Sequence, residues 1–383
     1  MINTLLLKKC RLFDSEIVSD VLIRDGKIQA IDDNIENSEA EIFETNKRML
    51  VPGFIDVHIQ GAGGADILDG TEESLKNMSA VLARLGTTSF LGTTVVKPLQ
   101  ENAHLKLASK FAGKSIGGAK LLGFHLEGPF ININKKGGLD PASIYDSSPE
   151  RFAEVLEVTS NHLKMMTIAP ELPGNAEIIK SLCQNGIIAS FAHSEANYEQ
   201  TKAGFRAGIS HITHIFNAML PLHHRNPGPL TAIFENDEVT AQIISDGHHL
   251  HPAIINLIYQ ILGPERCICI TDGVQAMGLP EGIYTYNGKE YISKSGAARY
   301  FDGTLIGSTM SLGNMALKFK EFTGCSFKTA INTVSKNPAQ ILGLGNSKGD
   351  IKPGYDADLV LLDEDYSIYM TIIEGRPVYN KED

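Results

Sequence analysis

From about Leu50 to Leu344 the chain alternates short apolar runs with amphipathic stretches. The runs are LVPGFIDVHI, TTSFLGTTVV, KLLGFHLEG, LKMMTIAPE, GIIASFAH, ISHITHIFN, VTAQIISDG and CICITDG. Between them lie segments of helical period such as SLKNMSAVLARLG and NYEQTKAGFRAG. Eight strand-then-helix units are the number needed to close a (β/α)8 TIM-like barrel. A doubly wound open sheet would more often carry fewer strands and a glycine-rich phosphate loop after the first. Gly61, Gly63 and Gly64 do follow the first run, but no helical pattern stands directly behind them, so they support nucleotide binding weakly. Both ends of the chain read differently. VLIRDGKIQAI places Asp25-Gly26, a hairpin turn signal, between alternating apolar runs, and GDIKPGYDADLVLLDEDYSIYMTIIEGRPVY has the same β character. The pattern predicts a small β-sandwich domain built from residues 1–50 plus 345–383 and a barrel over 51–344.

Composition narrows the partners more than the fold. A chain of 383 residues exceeds one compact core of average size but suits a large barrel with an appendage. Its formal net charge of −11 argues against nucleic acid or an anionic membrane as main partner, since either calls for a basic face. An anionic small molecule would then be held by a few local donors. Cys10, Cys183, Cys267, Cys269 and Cys325 form no disulfide framework and read as reduced thiols, with the pair in CICITDG buried in a strand rather than binding zinc. The apolar patch near the N-terminus is too short for a signal sequence, and no segment approaches the length of a membrane span. The expected location is the cytoplasm.

In a barrel, reacting groups sit at the C-terminal ends of strands. His58 closes the first run, Glu127 the third, His193 the fifth and His214 the sixth, while Asp246 and His249 follow the seventh and Asp272 closes the eighth. Each alone reads more simply as a hydrogen-bonded rim histidine or a turn-forming aspartate. Together, gathered around one mouth, they would be buried ionisable groups in need of partners. Glu127, His193 and His214 supply one carboxylate and two imidazoles, the donor set of a catalytic divalent ion with a position open to water. Such an ion lowers the pKa of its water, and Asp272 nearby could take the remaining proton. Relatives of this barrel that use a modified lysine carry it at the end of strand four. Here Lys164 lies at the other end of that strand, so any bridging role falls to Glu127.

These stretches, together with DGKIQAI, VPGFIDVHIQGAGGAD, GFHLEGPF, GISHITHIFNAM, HHRNPG, IISDGHH, ITDGVQAMG, DGTLIGS and NPAQILGL, resemble the amidohydrolase superfamily over almost the whole chain. HLEGPF and THIFNAM are similar to its branch of N-acetylglucosamine-6-phosphate deacetylases in particular. The resemblance implies hydrolysis of the acetamide to glucosamine 6-phosphate and acetate, by water activated on one metal ion held by Glu127, His193 and His214. Zinc is the first expectation, with iron, manganese or cobalt as alternatives. It further implies Asp272 as general base and then acid, and His249 as the group polarising the carbonyl. Asn217, Ala218, Asp246, Leu305, Ile306 and Gly307 are implied substrate contacts. Arg225 would reach the phosphate from a neighbouring subunit of a homodimer or higher homo-oligomer, although by itself it reads as a solvated loop arginine.

Two departures stand out. Where some relatives carry His-x-His and two metals, this chain has His58 and Gln60. Glutamine is a poor ligand beside imidazoles, so a second site at His58 is expected to be weak or empty, with Gln60 free to hydrogen-bond water or substrate. Close relatives also place a histidine on the sugar hydroxyls where this chain has Leu139, in NKKGGLDP. That keeps N-acetylgalactosamine 6-phosphate, or another N-acyl amino sugar, open as substrate. A non-catalytic relative of the same fold would have lost one of Glu127, His193, His214 or Asp272, and all four are present.

Overall fold

The computed structural model describes residues 4–382 except 16, 99 and 287; the outermost ends of the expected terminal domain therefore lie outside the described residues. All eight apolar runs form one parallel sheet, Phe54–Ile59, Thr87–Thr94, Lys120–Glu127, Leu163–Ile168, Ile188–Phe191, His211–Ile212, Thr240–Ile243 and Cys267–Cys269, in sequential order. Every residue of the first two is buried, as expected for strands covered on both faces. The ring closes between the first and eighth strands. Asp272 N–H donates to His58 O at 3.0 Å, and Gln60 and Gly61 N–H both donate to Gly273 O at 2.9 and 3.0 Å. Beneath this seam the buried Asp56 accepts the His58 N–H at 3.2 Å and the Thr271 hydroxyl at 2.5 Å, tying the two strands together.

Strands from both ends of the chain form the β-sandwich domain. Met49–Pro52 pairs antiparallel with Leu359–Leu362, which continues into Ile368–Ile373 and Arg376–Asn380. On its other side Met49–Pro52 meets Thr4–Leu12, which leads into the hairpin Val18–Arg24 and Lys27–Asp32. Asp25 and Gly26 both have positive φ, 51° and 78°, the geometry of the tight turn that their sequence signals. The chain passes from this sheet to the barrel at Gly53, where a Cβ would fall 2.3 Å from the Thr88 hydroxyl oxygen. Only glycine permits that approach.

One element has no counterpart in the sequence reading. After the eighth strand the chain builds a four-stranded antiparallel sheet, Gly282–Tyr286, Lys289–Lys294, Ala297–Tyr300 and Leu305–Ser308. Its last strand packs against the barrel mouth, with Ser308 N–H donating to Asp272 O at 2.9 Å. Gly307 makes that contact possible, because a Cβ there would lie 2.5 Å from Asp272 O. The free cysteines behave as expected for thiols: Cys10, Cys267, Cys269 and Cys325 are buried and Cys183 is exposed. Among the described residues no helix is long and apolar enough to cross a membrane.

Candidate active site

Each strand ends where its apolar run meets a polar residue, so the barrel delivers these side chains to one mouth. Several arrive on strained backbone. His193, His214, Phe216, Ala218 and Asp272 all have positive φ, between 27° and 74°. That region is costly for residues other than glycine and is often found where surrounding structure imposes a functional geometry.

Glu127, His193 and His214 converge in the buried floor. Glu127 Oε1 lies 3.2 Å from His193 Nε2 and 3.1 Å from His214 Nε2, and the two Nε2 atoms are 3.1 Å apart. The Nδ1 of His193 is 2.7 Å from Lys135 O, which can only accept, so Nδ1 carries the proton and the Nε2 lone pair faces inward. A carboxylate oxygen and imidazole lone pairs crowded at these distances repel one another unless a cation sits among them. The donor set thus fits a divalent ion. Burial alone would push the Glu127 carboxyl up, but neighbouring His58 leads the interactions that hold it well below the ordinary carboxylate range.

Asp272 and His58 border this trio. His58 is fully buried; its Nδ1 meets Gln242 Oε1 at 3.1 Å, and its Nε2 lies 3.2 Å from Asp272 Oδ1 and 3.6 Å from Glu127 Oε1. Burial pulls the ring down, yet Glu127 and Asp272 raise it to about 9. Burial likewise would raise Asp272, and the contact with His58 more than offsets this, leaving it below its ordinary value. Gln60 does not point freely at solvent. Its Nε2 is 3.4 Å from both Glu127 Oε2 and Asp272 Oδ1, and its Oε1 accepts from the Tyr286 hydroxyl at 3.2 Å.

The cleft above measures about 720 Å3, solvent at its mouth included. Its walls include Leu139, Asn217, Ala218, His249, Leu305, Ile306 and Gly307, alongside Glu127, His193, His214 and Asp272. Asp246 is the exception to the expected substrate contacts. Its side chain is buried behind His249, accepting from His249 Nδ1 at 2.7 Å and from the backbone N–H groups of His248 and His249 at 2.8 and 2.9 Å. A carboxylate with those three donors is already engaged, so it orients the ring and turns His249 Nε2 towards Asp272 Oδ2, 3.7 Å away. Of the three neighbouring histidines, His249 faces the cleft, His248 reaches Ser295 O, and His251 caps the following helix, Pro252–Leu262. Arg225 lies in an exposed stretch, 221–226, away from the cleft of its own chain. No lysine or arginine among the described residues lines that cleft. Sequence reasoning missed Tyr286, Gly137 and Gly138, which also line it. The Ser295-Gly296 pair between alternating segments was the available signal for the sheet that carries Tyr286, since both residues adopt positive φ.

Comparison with known proteins agrees with this geometry. Residues 49–378 match the amidohydrolase family. The N-acetylglucosamine-6-phosphate deacetylase of Bacillus subtilis (strain 168) is 36% identical over 388 residues, covering 98% of this chain and 97% of that protein. The N-acetylgalactosamine-6-phosphate deacetylase of Escherichia coli O157:H7 is 34% identical, covering 92% of this chain and 93% of that protein. Among solved structures, N-acetyl-D-glucosamine-6-phosphate deacetylase from Mycobacterium smegmatis superposes with a TM-score of 0.89 at 30% identity, covering 98% of this chain and 100% of that one.

Proposed function

The chain belongs to the amidohydrolase family, and from that premise we propose that it hydrolyses N-acetylglucosamine 6-phosphate to glucosamine 6-phosphate and acetate. The observation that carries this reading is the convergence of Glu127, His193 and His214 with Asp272 and His249 on one cleft. The relatives from Bacillus subtilis and Mycobacterium smegmatis, both named for this activity, support it.

Glu127, His193 and His214 would hold one divalent ion, zinc before iron, manganese or cobalt, and when bound it supplies Lewis acidity to the attacking water and the acetamide carbonyl. Asp272 takes a proton from that water as its oxygen adds to the acyl carbon. His249, whose Nδ1–H is held by Asp246, enters the step doubly protonated, so that Nε2–H can donate to the carbonyl oxygen as charge develops there. Asp272 then returns the proton to the nitrogen, the carbon–nitrogen bond breaks, and the amine leaves neutral. Gln60 occupies the ground where a second ion would need a ligand, so the site works with one.

Among the described residues no lysine or arginine lines the cleft, which supports donation of Arg225 by a second copy in a homodimer or larger homo-oligomer. Asn217 and Ala218, with Leu305, Ile306 and Gly307, would line the sugar. We further propose that the terminal β domain and the barrel divide near residues 50 and 345, and that the enzyme works in the cytoplasm. A second reading, the galacto epimer, is favoured by Leu139 and by the Escherichia coli relative. Acetate release by the metal-loaded protein tests both. Turnover of N-acetylglucosamine 6-phosphate well above its epimer supports the first reading, and the reverse preference replaces it with the second. Stripping the metal with a chelator should abolish turnover, and restoring it should bring turnover back.

A further inference from the structure

We propose that Tyr286 is a positioning residue for the hydrolysis: its hydroxyl sets the Gln60 amide so that the amide nitrogen faces the carboxylates of both Glu127 and Asp272. The inference rests on the hydrolytic reading above. The geometry that points to it is a chain of contacts running from the inserted sheet to the reaction centre. Tyr286, at the end of Gly282–Tyr286, places its hydroxyl 3.2 Å from Gln60 Oε1. At the other end of the same amide, Nε2 stands 3.4 Å from Glu127 Oε2 and 3.4 Å from Asp272 Oδ1.

Those two contacts are long, so they alone define the amide orientation loosely. Reversing the amide would put Oε1 against two carboxylate oxygens, an acceptor facing acceptors. What selects the productive orientation is a donor at the far end, and the phenol is suited to be one. Burial, reinforced by the carboxylates of Asp66 and Glu127, holds Tyr286 protonated well above the usual phenol range. It can therefore donate at any pH where the protein works. No hydrogen bond links Tyr286 directly to Glu127 or Asp272 among the described residues, so its influence passes through Gln60.

The consequence is chemical. Glu127 and Asp272 have different tasks, one holding the ion and one carrying the proton, yet both are anionic and close to each other. The Gln60 amide sets donors between them without adding a charge or a competing proton acceptor. Tyr286 keeps it in that state on every turnover.

A double-mutant cycle separates this role from a merely structural one. Tyr286→Phe should lower kcat about tenfold while KM stays unchanged, since one neutral hydrogen bond is lost from the reacting assembly and none from the sugar. In a Gln60→Ala background the same substitution should have no further effect. Loss of the same factor in both backgrounds, or a change confined to KM, would overturn the proposal. A binding readout accompanies it. In the non-turning Asp272→Asn protein, calorimetric affinity for N-acetylglucosamine 6-phosphate should be unaltered by adding Tyr286→Phe, and a weakened affinity would make Tyr286 a substrate contact instead. If Tyr286→Phe fails to fold, Gln60→Glu provides an independent test: it replaces the donors by a third carboxylate and should cost at least as much kcat, so full activity would refute the role of the amide. Inactivity of the unmodified protein on every amino sugar phosphate would instead refute the function on which the inference stands.

Discussion

Replacing Asp272 by Asn removes its proton transfer while keeping its shape, and takes away one of the two carboxylates that face His58. Asp272 sits at φ 46°, in the left-handed region, where asparagine is among the best tolerated side chains and alanine costs about 1–2 kcal/mol. Asp272→Asn therefore leaves the turn relaxed, keeps its backbone bonds to His58 and Ser308, and keeps the volume of the side chain. The chemical loss is large. A positioned general base contributes about 10²- to 10⁴-fold, and Asp272 serves as base and then acid, so the upper end applies, ~5 kcal/mol in barrier. The assay is acetate release under saturating N-acetylglucosamine 6-phosphate, with metal content and thermal melting measured on the same preparations. The expected outcome is a kcat about 10⁴-fold lower with metal still bound, and a lowered melting temperature, because buried His58 loses one of its two carboxylate partners. Asp272→Ala should be as inactive but melt lower, by about 2–4 °C, from the left-handed strain. An Asp272→Asn protein that kept more than about a tenth of the parent kcat with full metal would refute the assignment of the proton carrier.

Further outcomes follow from other parts of the molecule. Asp66 is buried with one oxygen unpartnered, and burial raises its carboxyl from 3.8 to about 7. Its stabilising contribution is thus fully present below about pH 4 and lost as pH rises through about 7, with a ceiling of ~4 kcal/mol. Asp66→Asn keeps the acceptor for the Leu68 N–H, so it should melt above the parent at pH 8 and match it near pH 4; an equal difference at both would refute the cause. Arg225→Ala should raise KM for the phosphorylated sugar about 10- to 100-fold at unchanged kcat. Mixing its subunits with Asp272→Asn subunits should restore tight-binding activity if Arg225 acts across an interface, and no complementation would place the arginine elsewhere. Lys348 is buried against Asp358 and Asp356. Lys348→Ala should destabilise the fold by about 3 kcal/mol in denaturant titration, with part regained on adding Asp358→Asn, because what is lost is compensation of a buried charge.

Much of the barrel can be read from the chain because a strand covered on both faces must be continuously apolar, and its end is marked by the first polar residue. That is why Glu127, His193, His214 and Asp272 stand out, each at the break of a run. The inserted sheet is harder to see. Its strand Gly282–Tyr286 alternates half-buried and exposed residues, and nothing local shows that Tyr286 reaches Gln60 across a separation of 226 residues. Asp246 illustrates a second limit. A strand-end carboxylate looks the same in sequence whether it faces substrate or a neighbouring histidine, and only its buried contact with His249 decides the matter. Gln60 shows a third: the missing second histidine was visible, but the partners that give the amide its orientation, Glu127, Asp272 and Tyr286, come from three other elements.

The pairing of Met49–Pro52 with Leu359–Leu362 bears on how the enzyme is made. Until Leu359–Leu362 leaves the ribosome, the segment that introduces the first barrel strand lacks one of its two neighbours, and Gly53 N–H lacks the Asp358 carbonyl that it meets at 2.8 Å. The first strand carries His58, leads into Gln60 and seals the ring against Asp272. The sheet that leads into the first strand is thus finished by residues made after the whole barrel, a pairing between distant parts of the chain that forms late in folding.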